Sequence, residues 1–81
     1  MRIHVLLFGP LAEAVGRAEI TLDLPAGASV GEATATLGKD CAGLAAAGRA
    51  YACAVNERYV NFGHALAEGD RLALIPPVSG G

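Results

Sequence analysis

The chain ends RLALIPPVSGG, residues 71–81, and the rest of the sequence is best read outward from there. RLALI (71–75) places Leu72 and Leu74 on one side of an extended segment and Ala73 and Ile75 on the other, the pattern of a final strand. Pro76 and Pro77 donate no backbone hydrogen bond, so a sheet ladder stops at them. Paired prolines also favour a stiff, extended backbone. Val78 and Ser79 prolong it, and Gly80 and Gly81 carry no side chain. Residues 76–81 therefore extend roughly 20 Å from the fold at about 3.3 Å per residue. The chain divides into a domain, 1–75, and an extended tail, 76–81. A frayed end is the ordinary explanation of terminal glycines. With 11 glycines in 81 residues, a closing Gly-Gly arises by chance at about the per-cent level, and its coupling to Pro-Pro after a strand makes accident rarer still.

Upstream, alternation and breakers mark the other elements. RIHVLLF (2–8) is a strand with Ile3, Val5 and Leu7 on one face, ended by Gly9-Pro10. Pro10 opens a short helix, with Leu11 and Val15 on one side and Gly16 as a left-handed stop. EITLDL (19–24) alternates strictly, apolar Ile20, Leu22 and Leu24 against Glu19, Thr21 and Asp23, as a half-buried strand does. Ser29 and Glu32 have the spacing of a reciprocal capping box. Val30, Ala33 and Leu37 follow at helical spacing, and Gly38 is the expected stop. Residues 39–49, rich in Ala and Gly, fit either a short helix or a loop. AYACAVN (50–56) alternates again, Asn56-Glu57 suits a turn, and Arg58-Tyr59-Val60 suits a short strand pairing back. The sum is an α+β domain, a mixed sheet of about five strands with one main helix on one face. The ubiquitin-like β-grasp is the best-known arrangement of such elements. By that analogy the first and last strands lie parallel and adjacent in mid-sheet, with a flexible Gly-Gly tail beyond.

Composition excludes several functions. A chain of 81 residues makes one domain, too small for a deep pocket of its own. A net charge of −2 with scattered arginines argues against nucleic acid. No apolar run reaches the roughly 20 residues of a membrane span, and Pro10 and Glu13 break the opening stretch that otherwise imitates a signal peptide. A cytoplasmic protein is expected. Cys41, Cys53, His4 and His64 have no metal-ligand spacing, so no metal is expected. Cys53 sits in an apolar run and is expected to be a buried, inert thiol. No nucleophile, base and orienting group fall together, and Ser79 has no neighbouring His.

The tail therefore carries the chemistry. Its glycines let a terminal carboxylate enter a channel too narrow for a β-carbon. A carboxylate with a pKa of about 3.5 is ionised at neutral pH and is a poor acyl donor. Activation as a mixed anhydride, such as an adenylate, lets it accept sulfur as a thiocarboxylate or be attacked by an amine.

Several segments resemble the small, sulfur-carrying subunit of molybdopterin synthase. They are the first strand running into FGPLAEAVG (8–16), ACAVN (52–56), LAEGD (66–70) and, most specifically, IPPVSGG (75–81). The resemblance implies that Gly81 is adenylated by a separate ATP-using activating enzyme and then converted to a thiocarboxylate with sulfur from a sulfurtransferase system. The tail would enter the large synthase subunit, in the heterotetramer the resemblance implies, and donate sulfur to cyclic pyranopterin monophosphate. Gly80 would supply clearance. The chain would bind no cofactor itself, and catalysis would reside in the large subunit. Tail residues Pro76, Pro77, Val78 and Ser79 and the large groups Ile75, Phe8, Tyr59 and Phe62 are the binding candidates. Burial frequencies favour the core for Phe8 and leave Phe62 open between core and surface. Other readings are a carrier for thiazole synthesis or tRNA thiolation, whose members usually lack the Phe-Gly entry and the Pro-Pro stalk, a ubiquitin-like modifier, and a plain interaction domain. Deleting Gly81 is predicted to abolish sulfur loading with an unchanged Tm. A large drop in Tm would show instead that the tail belongs to the fold.

Overall fold

A computed structural model describes residues 1–40 and 51–76. The strands and helices follow in the order β1 (Arg2–Leu7), α1 (Pro10–Val15), β2 (Glu19–Asp23), α2 (Val30–Asp40), β3 (Ala52–Val55), β4 (Arg58–Val60) and β5 (Arg71–Ile75). The five strands form one sheet in the order β2-β1-β5-β3-β4. β1 pairs antiparallel with β2 and parallel with β5, while β5 and β4 flank β3 antiparallel. The first and last strands are thus neighbours inside the sheet, as the analogy predicts.

Local chemistry accounts for most element ends. Pro10 opens α1, and Gly16 closes it at φ 84 while its N–H donates to the Ala12 carbonyl. At α2, the Glu32 N–H donates to Ser29 Oγ at 3.2 Å. The return bond from the Glu32 carboxylate is not made, so half of the expected capping box forms. The helix also runs through Gly38 to Asp40. A glycine inside a helix costs only about 1 kcal/mol relative to Ala, less than the packing of Val30, Ala33 and Leu37, all fully buried, returns. Thr34 and Thr36 turn their hydroxyls back onto the carbonyls of Gly31 and Glu32, which satisfies them within the helix. The 39–49 stretch lies, apart from the end of α2, outside the described residues.

One face of the sheet carries the core. Ile3, Val5, Leu7, Leu22, Cys53, Val55, Leu72 and Leu74 meet Leu11 from α1 and Val30, Ala33 and Leu37 from α2. The Met1 amino group donates to the Leu24 carbonyl, tying the N-terminus to the segment after β2. At the far end, Asn56 joins two loops. Its Nδ2 donates to Asp70 Oδ1 at 3.0 Å, and its Oδ1 accepts from the Arg71 N–H at 3.0 Å. Asp70 in turn accepts from the Ala67 N–H at 2.8 Å.

Asn56 and Glu57 form the two-residue β3–β4 turn, with φ 50 and 72. Positive φ at both positions is the twist that suits a tight hairpin, and it costs an ordinary side chain roughly 1–2 kcal/mol. Asn tolerates this region; Glu does not favour it. Leu72 is fully buried in central β5. Leu72→Ala is expected to cost about 3 kcal/mol and lower Tm by roughly 15 °C. In urea the midpoint should fall at constant m, and a variant that melts like the parent would place the core elsewhere.

Candidate functional site

Among the described residues, both helices pack on the core face of the sheet and none lies over the second face. Cross-strand register aligns Glu19, Leu6, Ala73, Ala54 and Tyr59 in a single row across all five strands. In the middle of that row, Ala54 and Ala73 are too short to rise from the sheet, and Leu6, Phe8, Tyr59 and Ile75 stand around them. The result is an open hollow of about 290 Å³, rimmed further by Asn56, Glu57 and Arg71. A more polar depression adjoins it, lined by His4, Leu6, Glu19 and Arg71.

The exposures are unusual for large apolar groups. Tyr59 is 74 % exposed and Phe8 47 %. Phe8 therefore departs from the core placement its residue type favours: it follows the last inward residue of β1, Leu7, and Gly9 turns the chain at φ 53 before it can fold inward. Ile75 and Pro76 are half-buried. A β-carbon at Gly9 would lie 3.6 Å from Pro76 Cγ, so the root of the tail rests against the Phe8-Gly9 turn. Phe8, Tyr59, Ile75 and Pro76 are thus gathered at one place.

Phe62 is not part of that group. It packs against the core on the helix-covered side, edge-on to Tyr51 with ring centroids 6.2 Å apart. Its carbonyl accepts from the Gly31 N–H at 2.8 Å, and a β-carbon on Gly31 would press to 3.2 Å from that oxygen. Phe62 anchors the loop after β4 to the start of α2. Pro77, Val78, Ser79, Gly80 and Gly81 lie outside the described residues. Large residues drew attention in the sequence, whereas the floor of the hollow is made by Ala54 and Ala73. The signal for them was present: in RLALI and ACAV the alanines alternate with the buried leucines and with Cys53 and Val55, which puts small groups side by side on the outer face.

Among the described residues no cluster of His, Cys, Asp and Glu has the make-up of a metal site, and no helix is long and apolar enough to cross a membrane. His4 lies half-buried on the uncovered face and His64 is exposed in a loop. Cys53 is buried and free, and burial pushes its thiol above the ordinary range. The described residues form a platform with a solvent-facing apolar hollow beside Ile75 and Pro76, where the tail begins.

That is the build of a ubiquitin-like β-grasp carrier. Residues 5–81 match the model of the ThiS family, and the chain belongs to that family. It is 36 % identical over 81 residues to the molybdopterin synthase sulfur carrier subunit of Escherichia coli (strain K12), covering 98 % of this chain and 99 % of that protein. SAMP1 from Haloferax volcanii, a small archaeal modifier protein, superimposes with a TM-score of 0.91 at 31 % identity, with both chains covered in full. A chain in the complex of subunits 1 and 2 of molybdopterin-converting factor from Helicobacter pylori gives a TM-score of 0.74 at 28 % identity, again with both chains covered in full.

Cys53 is expected to resist a thiol reagent such as DTNB in the folded state and to react once urea unfolds the chain, because only thiolate attacks. Labelling mapped by peptide mass distinguishes it from Cys41. Rapid native labelling of Cys53 would show that β3 opens readily.

Proposed function

We propose that this chain is the sulfur carrier of molybdenum cofactor biosynthesis. The observation that carries the reading is the position of the tail root. Ile75 and Pro76 leave the sheet at the border of an uncovered apolar hollow. A tail of six residues reaches roughly 20 Å, so a protein that takes up its end must press on the surface around its root. Exposed apolar groups gathered at that surface suit such contact. The full-length similarity to the Escherichia coli sulfur carrier supports the same reading.

In this reading the Gly81 carboxylate attacks the α-phosphate of ATP on a separate activating enzyme, with pyrophosphate leaving. A persulfide from a sulfurtransferase system then displaces AMP to give an acyl disulfide, and a second thiol attacks that disulfide, forming a new disulfide and releasing the terminus as a thiocarboxylate. The large subunit of molybdopterin synthase receives the loaded tail in a heterotetramer; the Helicobacter pylori complex of subunits 1 and 2 supports a large-subunit partner. There the sulfur passes to cyclic pyranopterin monophosphate, and catalysis belongs to the large subunit. Phe8, Tyr59 and Ile75 grip the partner, Pro76, Pro77, Val78 and Ser79 span the channel, and Gly80 gives clearance. This chain holds no cofactor of its own, and ATP is consumed by the activating enzyme.

The likeness to SAMP1 favours a second reading, in which the same activated terminus is joined to lysines of other proteins. Intact mass separates the two. Protein recovered from cells that also make the activating enzyme should contain a fraction heavier by one oxygen-to-sulfur exchange, mapped to Gly81. An unmodified mass where another carrier is loaded, together with lysine-linked conjugates, would favour the modifier.

A further inference from the structure

The β3–β4 turn contains one side chain whose placement the fold does not explain. Asn56 and Glu57 share a strained conformation, at φ 50 and 72. Asn56 uses it, because the turn brings its amide onto Asp70 and the Arg71 N–H. Glu57 gains nothing comparable. It is exposed, and among the described residues its carboxylate has no hydrogen bond or ion pair. Glycine would take the same backbone without strain. Yet Glu57 stands on the rim of the hollow, with Tyr59 and Ile75 on the same rim and the Ala54 and Ala73 floor beside it.

We propose that Glu57 is a specificity-determining contact that meets an Arg or Lys side chain of the protein that receives the tail. The inference rests on the docking role of the hollow given above. The occupant follows from charge and position. A protein that covers the hollow takes water away from the Glu57 carboxylate, and a desolvated carboxylate without a counter-charge is strongly unfavourable. A partner with a cation at that point is therefore accepted, and one with a neutral or acidic group is rejected. Arg71, on the same rim and likewise without an ion pair among the described residues, has the opposite sign. The two charges together give the face a direction, so a partner fits one way round. Backbone strain at Glu57 is thus tolerated for recognition, as strain at binding sites commonly is.

The test measures binding of the large subunit of the synthase to the full chain by calorimetry at low and high salt, beside thermal melts. Glu57→Gln removes the charge and keeps the strained turn, whereas Glu57→Gly removes both. Both variants are expected to bind about threefold to tenfold more weakly at low salt and to converge with the parent at high salt. Glu57→Gly should also raise Tm by about 4 °C, and Glu57→Gln should leave it unchanged. Ala73→Gln, which fills the hollow from an outward position, reports on the docking face itself. If Ala73→Gln abolishes binding while both Glu57 variants bind like the parent, the Glu57 proposal is overturned and the docking face stands. Loss in Glu57→Gly alone also overturns it, because the backbone and not the charge would then matter. Parent-like binding by Ala73→Gln overturns the docking face and this proposal with it.

Discussion

The parallel pairing of β1 with β5, with Val5 opposite Leu72 and Leu7 opposite Leu74, joins the two ends of the domain in the interior of its sheet. Parallel neighbours need a long crossover, and here nearly the whole domain is that crossover. α1, β2, α2, β3 and β4 must all be placed between the strand that opens the chain and the strand that closes it. The pairing also brings Ile3, Val5, Leu72 and Leu74, all fully buried, into one layer under α2. Until β5 docks, β1 and β3 lack their common neighbour and the core stays open on one side. The domain is therefore expected to be stable only as a unit.

The same pairing sets where the tail begins. Because β5 is interior, the chain leaves the sheet from its middle and not from an edge. Pro76 emerges between the Phe8-Gly9 turn at the end of β1 and the outer residues of β3 and β4. The tail root and the uncovered face are consequently one surface.

The two faces of the sheet differ through a simple alternation. On the inner face large branched residues fill the space under the helices. On the outer face the central strands present Ala54 and Ala73, flanked by Leu6, Phe8, Tyr59 and Ile75. Small groups in the centre and large ones around them produce concavity without a loop or a second domain. In the proposed reading, this is how a chain of 81 residues obtains a docking surface. The rim adds direction through charge, with Asn56 holding the turn that presents Glu57.

Local patterns determined the element types. Alternation in RLALI and EITLDL, Pro10 at the start of α1, Gly16 at its left-handed end, and the Val30, Ala33 and Leu37 spacing all act within a few residues, so they are legible without the fold. Gly38 misled because a helix stop is a marginal local preference that burial of Leu37 outweighs. The sequence left Phe62 open between core and surface and weighted Phe8 to the core, because apolar size does not say which side of a sheet a residue meets. Phe62 was turned to the core by the close approach of Gly31, and Phe8 to solvent by the Gly9 turn. The hollow itself arose only when register set Leu6, Ala73, Ala54 and Tyr59 in one row. Register joins residues far apart in the chain, and no local pattern contains it.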